Sequence, residues 1–252
     1  MSLFDGVDFG TVEFKPTDNL GGGSKYITET GVYDFVVKMA YFDKSASGAT
    51  FCKVDFETED GRQMSMTQYI TNKEGKPFYV NAKGDQNFLP GYNIIRSLDF
   101  AITGSNRNEP KTEKKQIKIL DKDRKEILAE KSVPVEWIGK VVTAMVMRKQ
   151  VNKQEKNEVG TYVDVSTWTY QTEVEGFANA STGKTMSETI GSLPAEFVKK
   201  YKDKYPSDYV NDKRSIKDGQ QYKKGDTQSS QPTVSSQAVD DVFGNWCKNT
   251  EI

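Results

Sequence analysis

The side chains that could do chemistry here are rings and cations that recur along consecutive stretches of chain. Between Val32 and Phe42 the residues alternate. Tyr33, Phe35, Val37, Met39 and Tyr41 hold one parity, and Asp34, Val36, Lys38, Ala40 and Phe42 hold the other. Period two marks a strand buried on one face. From Ala49 to Thr58, Cys52, Val54 and Phe56 take the core parity, which turns Phe51, Lys53, Asp55 and Glu57 outward. From Arg62 to Thr71, Met64, Met66 and Ile70 point in, and Gln63, Ser65, Thr67 and Tyr69 point out. The outward set expected on these three strands therefore carries Lys38, Phe42, Phe51, Lys53, Arg62 and Tyr69. A ring facing water can be covered by a nucleobase, and each base so stacked contributes about 1–3 kcal/mol. Interleaved cations would follow phosphates and release counterions, so affinity would fall with salt.

Two further groups extend the pattern. The polar stretch 72–87 carries Lys73, Lys76, Phe78, Tyr79 and Lys83, and a loop this long inside a compact domain is commonly functional or mobile. Later stretches add Lys140, Arg148, Lys149, Lys153, Trp168 and Tyr170. Against this stands a plainer account: a ring on a strand is more often core, and a single Lys is more often just solvated. The signal is the combination on successive strands. Trp137, beside Ile138 and Gly139, reads as core.

Composition removes several alternatives. The 252 residues contain no histidine, so Ser-His-Asp and Cys-His catalysis and histidine-based zinc sites are excluded. Cys52 and Cys247 are too few for a zinc cluster or a disulfide framework, and Cys52 reads as a small buried apolar residue in a reducing compartment. Lys and Arg total 35 against 36 for Asp and Glu, so a nucleic-acid footprint would have to be local. Asp55, Glu57, Glu59 and Asp60 could hold a metal, with Lys53 completing a nuclease-like set, but a solvated strand end and turn accounts for them better. GGGSK at 21–25 lacks the leading strand and the Ser or Thr after Lys that a phosphate-cradling loop needs, and reads as linker. No cofactor and no enzymatic activity are expected. With neither a leader pattern nor an apolar run of membrane-spanning length, a cytosolic location is expected.

These residues need elements to position them. Residues 1–28 read as a flexible Gly-rich arm. Three strands joined by the turn at 43–48 and by Glu59-Asp60-Gly61 form a meander. Phe88–Gly104 reads as a helix with Pro90 in its first turn, and Ile94, Ile95, Leu98 and Ile102 on one face. A hairpin follows, with arms at 116–120 and 126–130, then a short element at 135–138. Two strands come next, Val141–Gln150 and Gly160–Val174. Three strands, a helix and two more strands match an OB-like five-stranded antiparallel barrel with a helix between strands 3 and 4. The expected fold is thus mainly β, over residues 29–180, with an extra hairpin. C-terminal helices follow over 181–205, and 206–252 reads as a disordered tail.

Several segments carry a resemblance. GVYDFVVKMAYFDKSASGA, EDGRQ, YITNKEGKPFY and FLPGYN, followed by VPVEWIGKVVTAMVMRKQVNK, resemble the single-stranded DNA-binding proteins of tailed bacteriophages, over some 150 residues from Gly31 to about Phe177. The resemblance implies an OB-fold that binds single strands without sequence preference. It also implies a place in phage DNA replication or recombination, and a C-terminal tail that recruits phage or host replication proteins. The ring and cation residues named above become the candidate contacts. Such proteins commonly end in a strongly acidic tip, whereas this chain has only Asp240-Asp241 before FGNWCKNTEI. VDDVF, with Asp240, Asp241 and Phe243, is the candidate docking peptide. A structural or assembly protein of the same β-rich build is the competing expectation.

Overall fold

The computed structural model describes residues 25–120, 125–158 and 160–217. The three-strand meander is present as β1 (Gly31–Lys44), β2 (Thr50–Glu57) and β3 (Gln63–Tyr69), antiparallel throughout. The stretch read as a loop contains a small separate hairpin, β4 (Phe78–Val80) with β5 (Gln86–Phe88). Helix α1 (Pro90–Thr103) starts with Pro in its first turn. It stops at Gly104, whose φ of 68° is the left-handed conformation that ends helices at glycine. The hairpin β6 (Glu113–Leu120) and β7 (Glu126–Val133) follows. Residues 135–138 form turns rather than the short regular element expected. Then come the long β8 (Val141–Lys156) and β9 (Tyr162–Asn179), α2 (Met186–Ile190), α3 (Phe197–Lys204) and the short β10 (Asn211–Asp212).

Strands β1, β2, β3 and β6 to β10 belong to one eight-stranded sheet, mainly β in class and antiparallel except for β10 on β8. Strand β1 is shared. Its first half, Gly31–Val36, pairs with β8, and its second half pairs with β2 and touches β7 at Ser132. The expected closed barrel is not what the ladder forms. No ladder joins β3 to β9 among the described residues. Two other elements occupy that seam. Residues 25–27 hydrogen-bond to Gln63 at the start of β3, and the carbonyl of Ile27 accepts from Thr172 Oγ1 on β9. Helix α1 spans the rest. Gly91 lies on the backbone of Tyr69 in β3, and at the other end Asn179 Nδ2 of β9 donates to the carbonyl of Ala101.

Packing follows from this curl. The inner face carries Phe35, Val37, Val54, Phe56, Val142, Val146 and Phe177, closed over by Ile95, Leu98 and Ala101 of α1. The outer face of β8 is also covered, because Met145 and Met147 pack with Tyr201, Phe197 and Val198 of α3. Strand β8 is therefore buried on both sides from Val142 to Met147, so burial does not alternate along it.

Both expected domain edges move. Residues 25–28, assigned to the arm, belong to the seam of the sheet. Residues 206–217, assigned to the tail, return to it: the carbonyl of Tyr209 accepts from Thr30 Oγ1, β10 pairs with Lys149 and Gln150, and Ile216 N donates to Asn152. Residues 1–24 and 218–252, with Asp240, Asp241 and Phe243, lie outside the described residues.

Two predictions follow from this packing. A Cβ at Gly91 would stand 2.3 Å from the carbonyl oxygen of Tyr69, and main chain cannot swing aside as a side chain can. Gly91→Ala should lower unfolding stability in urea by about 1–3 kcal/mol, the usual cost of overpacking. Glu188, buried at the start of α2, supplies the second. Burial alone would raise its pKa, but N–H groups of Thr185, Phe197 and Glu196 bond its carboxylate and hold the pKa below the ordinary value. A depressed folded-state pKa contributes stability above the unfolded value of about 4.3 and loses it as pH falls through the folded one. Thermal melts below pH 5 should therefore decline less steeply for Glu188→Gln than for the wild type.

Candidate nucleic-acid interface

A local irregularity decides which rings face out. The register of β1 against β2 runs Val37 to Phe56 and then Met39 to Asp55, leaving Lys38 as an extra residue. One inserted residue inverts the alternation beyond it. Ala40 and Phe42 therefore turn inward, and Tyr41 turns outward. Phe42, expected on the outer face, packs at 6.0 Å against the buried Trp137 instead. Tyr41 takes its place in a row across three strands: Tyr41 to Phe51 at 6.4 Å and Phe51 to Tyr69 at 5.9 Å. Exposure grows along the row, from buried Tyr41 through half-buried Phe51 to Tyr69, which is 53% exposed at the sheet edge. Lys53, also outward on β2, has no carboxylate partner among the described residues.

The expected cations divide into three groups. Lys38 pairs with Glu57 at 3.4 Å, Arg62 with Asp60 at 2.8 Å and Lys76 with Glu74 at 3.0 Å. Lys149 is held between Glu173 and Glu175 at 2.7 and 2.8 Å. These four are already neutralised. Among the described residues, Lys53, Lys73 and Lys83 are in no ion pair. Arg148 lies over the ring of Tyr170 at 3.7 Å, beside Trp168, whose ring is 5.1 Å from that of Tyr170. Both of these rings are exposed. This third group stands apart from the outer row. The ladder of β1 with β8 ends at Gly31 and Val146, and Tyr170 and Trp168 pair with Gln150 and Asn152 beyond that point.

Past the end of β3 the chain forms a cleft of about 760 Å³. Its walls are Phe42, Ile70, Phe78 and Phe88, with Tyr92 and Arg96 from the start of α1. Phe88 stacks on Tyr92 at 4.8 Å, with the rings 23° from parallel. Tyr79, the neighbour of Phe78, is exposed on β4. The floor is fixed by charge. Buried Asp99 accepts two bonds from Arg107, at 2.6 and 2.7 Å, and one from Trp137 Nε1 at 2.8 Å, while Arg107 also reaches Glu136 at 2.6 Å. Arg107 raises its own pKa chiefly through its bonds to Asp99, and its bond lowers that of Glu136. The sequence reading missed Phe88, Tyr92 and Arg96 as site residues. Phe88 ends β5 and Tyr92 lies in the first turn of α1, so no helical spacing linked the two rings in the sequence.

Three of the four carboxylates that might have held a metal, all but Glu59, are engaged locally. Asp55 accepts from Ser65 Oγ, Glu57 pairs with Lys38, and Asp60 bonds Thr58 Oγ1 and Arg62. Among the described residues, no three of His, Cys, Asp or Glu gather as a metal site. Also among these residues, no helix is long and apolar enough to cross a membrane. No family model matches the chain, and no curated protein matches it.

Arg107→Met should be costly, because it strands Asp99 in the core. Loss of one partner from a buried pair costs about 3–5 kcal/mol, to be measured by urea unfolding. An unchanged midpoint would mean that Asp99 is stabilised by Trp137 and solvent alone.

Proposed function

We propose that this chain binds single-stranded DNA without sequence preference, along the outer face of β1, β2 and β3. The observation that carries this proposal is the row Tyr41, Phe51 and Tyr69, graded from buried to exposed, with Lys53, in no ion pair among the described residues, beside it. A buried ring at one end stiffens the row, and an exposed ring at the other offers a flat apolar face for a base. The exposed pair Trp168 and Tyr170 with Arg148 offers a second stacking place further along β8 and β9.

The sheet supports an OB-like assignment in its connectivity. A meander of three strands is followed by a helix, then by two long strands, and the first of these returns to pair with β1. The helix sits between the third and fourth of those five strands, at the seam. The sequence resemblance extends the proposal to replication or recombination of phage DNA, with VDDVF recruiting partner proteins. A structural or assembly role without nucleic acid is the competing account. Exposed Leu120, Ile127 and Leu128 on the β6–β7 hairpin favour it.

Fluorescence titration with oligo(dT) at a series of salt concentrations tests the proposal. Affinity should fall steeply with salt and exceed that for duplex of equal length. Tyr69→Ala should weaken binding by about 1–3 kcal/mol. Lys53→Ala should reduce the salt slope by about 0.7, whereas Lys149→Ala should leave the slope unchanged, its charge being held by two glutamates. No binding at low ionic strength, with stable self-association instead, would favour the assembly role.

A further inference from the structure

We infer that the cleft beyond β3 receives one unstacked base of the bound strand, as a pocket at the end of the outer track. The inference rests on the binding proposal above and adds a second kind of site to it. Three observations carry it.

The first is continuity. Tyr69, the exposed end of the outer row, is followed directly by Ile70, which lines the cleft. Tyr69 faces the outer side and Ile70 the inner one, so a strand lying on Phe51 and Tyr69 would enter the cleft by rounding the end of β3. The second is shape and lining. At about 760 Å³ the cleft is within the range of small-molecule sites, and four rings, Phe42, Phe78, Phe88 and Tyr92, line it. A planar aromatic ligand matches such walls. The third is an unmet donor. Arg96 lines the cleft, and its Nε is buried without a hydrogen-bond partner among the described residues, while its Nη2 donates to Asn106 Oδ1 at 2.8 Å. Buried unsatisfied donors are rare in folded proteins. A base edge offers carbonyl and ring-nitrogen acceptors, and so does a phosphate oxygen next to it. The other arginine in the lining, Arg107, is already committed to Asp99 and Glu136. Among the described residues Arg96 has no carboxylate partner, and with Glu109 in the same lining the cleft offers both a donor and an acceptor to a base edge.

An extruded base would gain a ring face, and a charge-assisted hydrogen bond once the Arg96 side chain turns its buried Nε toward the cleft, at the cost of unstacking from its neighbour. The pocket would therefore act as an anchor for one nucleotide rather than as another step of the track.

Photocrosslinking tests this on the full chain. Oligo(dT) substituted with 5-iodouracil is irradiated with the protein, and the adducts are mapped by mass spectrometry. Adducts on Phe78, Phe88 or Tyr92, in addition to Phe51 or Tyr69, are expected. Phe88 is 46% exposed, so Phe88→Ala removes a ring without opening the core. This variant should bind oligo(dT) about five- to tenfold more weakly, and should bind a backbone of abasic residues as the wild type does. Adducts confined to the outer row, with Phe88→Ala binding normally, would overturn the pocket and leave the binding proposal standing. Absence of any oligonucleotide binding at low salt would remove both. Loss of self-association in Phe88→Ala, with no cleft adduct, would assign the cleft to a second copy of the chain and overturn the inference.

Discussion

One extra residue in β1 governs both candidate surfaces. Had the strand kept strict alternation past Val37, Tyr41 would point into the core and Phe42 would join Phe51 and Tyr69 outside. With Lys38 inserted, Phe42 becomes a wall of the cleft, packed on Trp137, and Tyr41 becomes the buried root of the outer row. The same place is pinned from the neighbouring segment: Val37 exchanges hydrogen bonds with Gly139 and Lys140 just before β8. The bulge is thus held by main-chain bonds on one side and by the Lys38–Glu57 pair on the other. Bulges bend strands and increase their twist, and here the bend lets one strand serve β8 with its first half and β2 with its second.

The charged residues are organised by the same economy. A chain with 35 basic and 36 acidic side chains cannot present a basic face through bulk composition. Local pairing decides instead which cations remain available. Lys149 and Arg148 are neighbours in sequence yet opposite in fate, because consecutive strand residues face opposite sides of a sheet. Lys149 meets two glutamates on β9, and Arg148 meets the ring of Tyr170.

Much of this was legible in the sequence, and the residues show why. Period two gave β2 and β3 with the right inward sets, Cys52, Val54 and Phe56, and Met64 and Met66, because each strand is buried on one face only. The Pro90 and Gly104 signals bounded α1 within two residues. The failures have physical causes. A bulge leaves no mark in an alternation that is apolar on both parities, so Phe42 and Tyr41 exchanged places. The cleft joins residues from 42 to 132 through tertiary contact, and no local spacing reports that. The return of 206–217 depends on a few backbone bonds in a polar stretch, which composition alone reads as unstructured.

The seam between β3 and β9 has a mechanical consequence. Elsewhere the curl of the sheet is fixed by main-chain ladders, whose spacing of about 4.8 Å per strand admits little stretch. At the seam the spacing is set by the girth of α1 and by a three-residue thread, through side-chain packing and a handful of hydrogen bonds. The perimeter of the fold is therefore adjustable at one place. A change in the tilt of α1 would widen or narrow the whole curl while leaving every ladder intact, and it would move Tyr92 and Arg96 together with the edge that carries Tyr69.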